Sequence, residues 1–375
     1  MKSNKWLLSI LSIVSALAGC ENEPVTVGNN TQALEIDKVD ILLVVDDSNS
    51  TRGLQTQLPE LLDSFIAGSD EPGHERPELT DIHVAVVSTD MGLEVPGIDG
   101  CAGVGDDGVF IELTSEDIEQ CGANVGNFVE YEDGHGEITT ELAASCVPTV
   151  GTEGCGFEQP LEAMLKALWP ASNTSVQFKV GDGHGEDANE GFLREDSLLV
   201  VIVVSDEDDC SASDHSIFVP SLAASEEKGL NVVCATGGDS LFEVGRYVEG
   251  LKALRESEND PIVFVALSGV PVELADAQGE VDLSDSEAVG AYYDSVLEAP
   301  EMQFEIDDRG SADFADDGLV PSCMKNDEVG GRAFPPHRLV QVAQAFGNAG
   351  VLGSVCAEDF ASTIGGVIRA TAEKL

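Results

Sequence analysis

The stretch VDILLVVDDSNS, residues 39–50, decides the fold. Its first seven residues are apolar at all but one position, which is typical of a strand buried on both faces of a parallel sheet. A polar run begins abruptly at Asp46. The next segment predicts a helix, kinked or restarted at Pro59, because apolar residues recur there at helical spacing: Leu54, Leu58, Leu61, Leu62, Phe65 and Ile66. A buried strand followed by such a helix begins an α/β fold.

The same alternation continues along the chain. Apolar runs predict strands over 81–88, 198–204, 231–235 and 262–267, and apolar stripes predict intervening helices that begin near Phe157 and Leu241. The fold class is therefore α/β, with a doubly wound, mostly parallel sheet of the Rossmann-like kind. Residues of about 90–155 break the rhythm with four cysteines and many glycines, and we interpret them as a disulfide-rich insertion.

The remaining segments complete the predicted domain organisation. We expect a signal peptide over 1–20, a tether over 21–36, the α/β domain over 37–270, and an acidic C-terminal extension over 271–375 that packs on the domain. Helices are predicted in that extension at about 335–347 and 358–374, which makes it a helical extension.

The N-terminus carries an export signal. Lys2 and Lys5 precede an apolar run too short to span a bilayer as a helix, and Leu17-Ala18-Gly19-Cys20 resembles the lipobox of bacterial lipoproteins. The resemblance implies that Cys20 is lipidated and attaches the chain to the bacterial cell envelope. Glu21, where an aspartate would resemble an inner-membrane retention signal, favours the outer membrane. The alternative is an ordinary cleaved signal peptide.

The other eight cysteines are even in number, which in an exported chain indicates disulfides. No CxxC pair is present, which argues against a zinc site. Sequence separation favours nearest-neighbour pairs as a guess among 105 possible pairings: Cys101 with Cys121, Cys146 with Cys155, Cys210 with Cys234, and Cys323 with Cys356.

The charge of the chain restricts its partners. Seventy acidic residues against 18 basic ones give a net charge of −52, which excludes nucleic acid as a partner and attracts divalent cations. Acidic surfaces of this kind also resemble those of proteins from saline habitats. A hydrophobic content of 42% nevertheless indicates a folded chain.

One motif points to a binding site. Asp46, Ser48 and Ser50 form a DxSxS pattern at the end of the first buried strand, and Asp206 follows the most apolar strand. With Thr152 ahead of a later helix, this order resembles the von Willebrand factor A (vWA) family and its metal-ion-dependent adhesion site. Thr89 is the alternative to Thr152.

The resemblance implies a divalent cation, Mg²⁺ or Ca²⁺ with Mn²⁺ as a third candidate, and carboxylate and hydroxyl oxygens suit these ions. It also implies that a protein partner's acidic side chain completes the shell, so that the chain works in adhesion and is not an enzyme.

Three other interpretations stay open. A DxSxS run is also a common helix cap. The metal site could be closed by the insertion and serve stability alone, in a structural envelope protein. Finally, Gly238-Asp239-Ser240-Leu241 spells the GDSL string of a hydrolase family, but His337, the only later histidine, lacks the aspartate three positions earlier that this family requires.

Overall fold

A mostly parallel β-sheet forms the scaffold of the protein. The computed structural model describes residues 38–67, 81–93, 98, 100–112, 124–125, 127–132, 149–219, 232–255, 261–306, 318–325 and 331–372. Its strands are β1 Lys38–Val45, β2 Asp81–Ser88, β3 Asn124–Val125, β4 Val129–Glu132, β5 Leu198–Val204, β6 Ile262–Ser268, β7 Cys323–Met324, β8 Arg332–Ala333 and β9 Gly350–Ser354. The predicted α/β class with a mostly parallel sheet is confirmed.

The order of the strands in the main sheet is β3-β4-β2-β1-β5-β6-β9. Strands β2, β1, β5, β6 and β9 run parallel, while β4 adds antiparallel to the β2 edge and β3 pairs antiparallel with β4. From β1 the chain passes to β2 on one side and then returns to β5 on the other. The order therefore reverses between β1 and β5, which is where ligands bind in open α/β sheets.

Helices cover both faces of this sheet. They are α1 Arg52–Gln55, α2 Leu58–Ala67, α3 Pro160–Leu168, α4 Val233–Thr236, α5 Gly245–Ala253, α6 Val272–Asp276, α7 Ser286–Glu298, α8 His337–Phe346 and α9 Ala361–Ala372. Successive side chains of a strand point to opposite faces. Ile41 and Leu43 accordingly pack in the core beneath α2 and α9, whereas Leu42 and Val44 pack in the core beneath α3, α5, α7 and α8.

The part of the chain after residue 270 takes part in the main sheet. Strand β9 comes from the C-terminal part of the chain and pairs with β6 as the edge of the main sheet. Residues 35–375 form one compact unit. Strand β9 is not predicted by the sequence pattern, because its GVLGS run contains two glycines and only two consecutive apolar residues.

The strand predicted over 231–235 is wrong in its described part. Val233–Thr236 instead form the short helix α4, and β6 pairs directly with β5, so the sheet has no place for another strand between them. Val232 and Val233 are buried all the same. Consecutive apolar residues predict a strand, but these two pack outside the sheet, in two small clusters separate from the main cores.

Disulfides link distant segments of the described chain. The pairs Cys210–Cys234 and Cys323–Cys356 are confirmed. Cys101 bonds to Cys155, so the guessed pairs of Cys101 with Cys121 and of Cys146 with Cys155 are wrong. The bridge closes a separation of 54 residues, because the fold returns the chain to the same edge of the sheet. Cys121 and Cys146 lie outside the described residues.

The predicted signal peptide, Cys20 and the tether also lie outside the described residues. Within the part of the chain that the structure describes, no helix combines the length and the apolar character needed to cross a bilayer.

Candidate metal centre

Two aspartates meet at the carboxyl end of the sheet, where the strand order reverses. Val45 of β1 lies opposite Val204 of β5, so that Asp46 and Asp206 both follow the ends of neighbouring strands. The backbone N–H of Asp46 donates to the Val204 carbonyl at 3.0 Å. Both residues are buried, with 0% and 3% of their surfaces exposed. Parallel pairing therefore places two carboxylates together, as the sequence predicted.

A chain of hydrogen bonds joins these aspartates through the two predicted serines. The Ser48 N–H donates to Asp46 Oδ1 at 2.8 Å, and the Ser48 and Ser50 hydroxyls lie 2.8 Å apart. The Ser50 hydroxyl then donates to Asp206 Oδ1 at 3.2 Å. The structure thus brings together four of the five predicted ligands, Asp46, Ser48, Ser50 and Asp206.

The turn after β1 holds Asp46 in place. The Thr51 hydroxyl donates to the Asp46 carbonyl at 2.8 Å, and Gln55 Nε2 donates to the same oxygen at 3.0 Å. The Ser205 hydroxyl donates to Asp46 Oδ2 at 2.7 Å. Ser48 is half-buried and Ser50 is exposed, so the site opens toward solvent on the side of the serines.

The fifth predicted ligand, Thr152, has a different partner. Its hydroxyl accepts a hydrogen bond of 3.0 Å from Arg52 Nη2. The alternative, Thr89, lies directly after β2, where its N–H donates to the Val45 carbonyl at 3.1 Å, and its hydroxyl donates to Glu158 Oε2. Since the Glu158 carboxyl adjoins that of Asp46, Thr89 is connected to the cluster through Glu158.

Glu158 is a site residue that sequence reasoning missed. It is fully buried just ahead of α3, and its Oε1 has no hydrogen-bond partner. A glutamate in front of a helix is ordinarily explained by the helix dipole, so its position in the sequence gave no warning. The signal that could have found it is its closeness to the Thr152 loop, which the fold was already expected to bring to this edge.

The buried acids perturb one another. Burial raises the pKa of Asp46, against the opposing hydrogen bonds of Ser48 and Ser205. Burial and then the charge of Asp46 raise the pKa of Glu158 well above its ordinary value. In the described part of the chain, no salt bridge joins Asp46 or Glu158 to a basic side chain. When these carboxyl groups are ionised, no basic side chain of the described residues compensates their charge.

Asp47, the residue after Asp46, extends the acidic cluster toward Asp90 and Asp106. It is 4% exposed, and its Oδ1 has no hydrogen-bond partner. Burial, followed by the charges of Asp90, Asp46 and Asp106, raises the pKa of Asp47 to about 8. Gly154 packs directly on this carboxyl group, because a Cβ at Gly154 would lie 2.1 Å from Asp47 Cγ.

The donor set fits a hard divalent cation. Buried carboxylate and hydroxyl oxygens are the ligands that Mg²⁺ and Ca²⁺ take, and the unpartnered Oε1 of Glu158 leaves a charged acceptor unused by the protein. Within the described residues, no group of three or more His, Cys, Asp or Glu side chains is arranged to hold a metal ion. The candidate ligands are mixed, because serine hydroxyls lie beside the carboxylates.

The acidic run after β5 is fixed by α8. Asp208 Oδ1 accepts the N–H groups of Arg338 and Leu339 at 3.0 and 3.4 Å, and Asp209 Oδ2 accepts Arg338 Nε at 3.0 Å. Burial raises the pKa of Asp208 to about 7. Through these contacts Asp208 and Asp209 hold the loop that carries Asp206.

A cavity of about 220 Å³ adjoins this loop. Aromatic and aliphatic side chains form most of its wall, together with two acids of the loop: Phe157, Phe304, Leu319, Phe334, Glu207 and Asp208. The Phe334 N–H donates to the Asp206 carbonyl at 2.8 Å, which ties the wall of the cavity to the candidate metal centre.

The hydrolase motif has other contacts. The Ser240 carbonyl accepts the N–H groups of Ser213 and Asp214 at 2.8 and 3.1 Å within a short 3-10 turn. His337 Nε2 lies against the Met302 carbonyl.

The chain matches no protein-family model, and no curated protein is significantly similar to it.

Proposed function

We propose that this chain is an envelope-tethered lipoprotein whose vWA-like domain binds a divalent cation and, through it, an acidic side chain of a protein partner. The observation that carries this proposal is the hydrogen-bonded chain from Asp46 through Ser48 and Ser50 to Asp206 at the reversal of strand order. Lipid attachment at Cys20 would place the domain at the outer membrane.

The residues of the site would have different roles according to how deeply they are buried. Asp46 and Asp206 lie at the buried base and would supply negative charge, while Ser48 and Ser50 would present hydroxyl oxygens toward solvent. Thr89 and Thr152 remain alternative candidates for a third hydroxyl. A bound cation would supply an electrophilic centre for a carboxylate that arrives from the exposed side.

The proposal is tested first by cation binding. Titration calorimetry with MgCl₂ and with CaCl₂ should show one site in the wild type and none in Asp46→Asn. Asp239→Asn removes an exposed acid that is not among the candidate ligands and should bind as the wild type does, which controls for diffuse attraction to the acidic surface. Equal binding by the wild type and Asp46→Asn would exclude the site.

Partner binding is tested second, in envelope extracts with and without EDTA. A partner retained by the wild type should be lost with EDTA and with Ser48→Ala.

The alternative function is a structural one, in which the cation only stabilises the fold, and the near-complete burial of Asp46 and Asp206 favours it. Cation-induced stabilisation without cation-dependent partner capture would support that alternative.

A further inference from the structure

We infer that Glu158 is a further ligand of the proposed cation, and that it binds through Oε1 from the buried side of the site. The inference rests on the proposed function, because it adds a ligand to the same centre. The sequence pattern that marks the site does not include Glu158.

The first observation is the unused oxygen. Glu158 is 0% exposed, its Oε2 accepts the Thr89 hydroxyl, and its Oε1 is buried without a hydrogen-bond partner. An unpaired carboxylate oxygen in the interior is costly, and buried charges are normally paired or coordinate metals. The arrangement is therefore one that a bound cation would complete.

The second observation is the surroundings of Glu158. The nearby charges that act on it most strongly are those of Asp46, Glu207 and Asp47, all of them negative. The glutamate one helical turn later, Glu162, shows the usual solution. It is buried too, but Arg246 Nη2 lies 2.9 Å from its Oε1 and Tyr247 donates to its Oε2 at 3.0 Å. Glu158 has no such cation among the described residues.

The third observation is direction. Ser48 and Ser50 face the open side of the centre, whereas Glu158, just ahead of α3, is fully buried next to Asp46. A carboxylate in that position leaves the open side to a partner. It also lets the chain hold the cation before a partner arrives.

The test uses Glu158→Gln, which keeps the size and one acceptor oxygen but removes the charge. Calorimetric titration of the full chain with CaCl₂ should show an affinity reduced at least about tenfold. Glu153→Gln, an exposed acid in the same loop, should bind as the wild type does. In EDTA, the melting temperature of Glu158→Gln should equal or exceed that of the wild type, because an uncompensated buried charge is gone.

A second measurement separates coordination from packing. Tb³⁺ replaces Ca²⁺ as a luminescent probe, and its decay in H₂O and D₂O counts coordinated waters. Glu158→Ala should gain one coordinated water, because alanine has no side-chain oxygen to offer the ion. An unchanged affinity in Glu158→Gln and an unchanged water count in Glu158→Ala, with binding lost in Asp46→Asn, would overturn the role of Glu158 and leave the proposed site standing. Equal binding by Asp46→Asn and the wild type would remove both.

Discussion

Two fully buried aspartates lie near opposite ends of strand β1, and they differ in their hydrogen-bond and ion-pair partners. Asp40, near the start of the strand, accepts Arg194 Nε at 2.8 Å and the Arg194 N–H at 2.8 Å, and it also accepts the Ser197 hydroxyl. Asp46, directly after the strand, has hydroxyl and amide donors and a neighbouring glutamate. One charge is neutralised by a guanidinium and the other is not.

The difference indicates what each end of the sheet does. A buried ion pair such as Asp40 and Arg194 joins the amino ends of strands to the segment before β5 and needs nothing from outside the chain. Asp46 and Glu158 at the carboxyl end have no basic side chain beside them in the described part of the chain, and such acids become neutral only by binding a proton or a cation. The amino end therefore neutralises its buried charge within the chain, and the carboxyl end leaves the charges of Asp46 and Glu158 without a described basic partner.

The largest expected effect lies at the amino end. Asp40→Asn leaves the Arg194 guanidinium without its main buried partner and should lower the free energy of unfolding by about 3–5 kcal/mol in urea titrations. Lys38→Ala removes an exposed ion pair with Asp196 at the same end of β1 and should change stability far less. Equal losses in the two variants would contradict the importance of the buried pair.

The carboxyl end should respond in the opposite direction. In EDTA, Asp46→Asn should leave the free energy of unfolding unchanged or raise it, because the variant loses a buried charge that has no cation. A cation at 100 times its dissociation constant should stabilise the wild type by about 2.7 kcal/mol and should not stabilise the variant. Paired urea titrations with and without CaCl₂ measure both. A large loss of stability in EDTA would show that Asp46 behaves as Asp40 does.

A partly buried acid, Asp107, tests the contrast by pH. Burial would raise the pKa of Asp107, but hydrogen bonds from His184 and Lys166 lower it below its ordinary value. A lowered pKa means that Asp107 contributes stability above about pH 4 and loses it as the pH falls through its folded-state pKa.

Asp107→Asn should therefore lower the free energy of unfolding by about 2 kcal/mol at neutral pH. The buried Lys166 ammonium would keep the Val180 carbonyl as an acceptor but lose its carboxylate partner. The variant should also lose less stability than the wild type as the pH falls, which thermal unfolding between about pH 2 and pH 7 would measure. An acid limb as steep as that of the wild type would contradict the assignment.

The smallest effect concerns the loop that carries Asp206. Asp208→Ala removes the acceptor for the first N–H groups of α8 and should lower the free energy of unfolding by about 1 kcal/mol. Asp208→Asn keeps an acceptor oxygen and should lose much less. If the two variants lose the same amount, the charge of Asp208 matters and not its capping role.

Much of the fold could be predicted from the sequence, because strands buried on both faces have unbroken apolar runs. This holds for β1, β2, β5 and β6, and the polar residues after β1 and β5 then place Asp46 and Asp206 together. Strand β9 was missed because it contains two glycines, and the run before α4 was misread because burial outside a sheet uses the same residues as a strand.

The site was predictable only where a motif marked it. Ser48 and Ser50 belong to a recognisable pattern, but Glu158 has no pattern of its own, and its burial beside Asp46 depends on the path of the chain between β2 and α3. The choice between Thr89 and Thr152 likewise depends on contacts with Glu158 and Arg52, which only the three-dimensional structure reveals.

The hydrogen bond between Ser50 and Asp206 joins residues 156 positions apart in the chain. Contacts of such long range form late in folding, after the intervening loop has closed. The centre consequently does not exist until β1 and β5 have paired, so a cation cannot guide the early steps. A cation bound there would therefore act on the rate of unfolding.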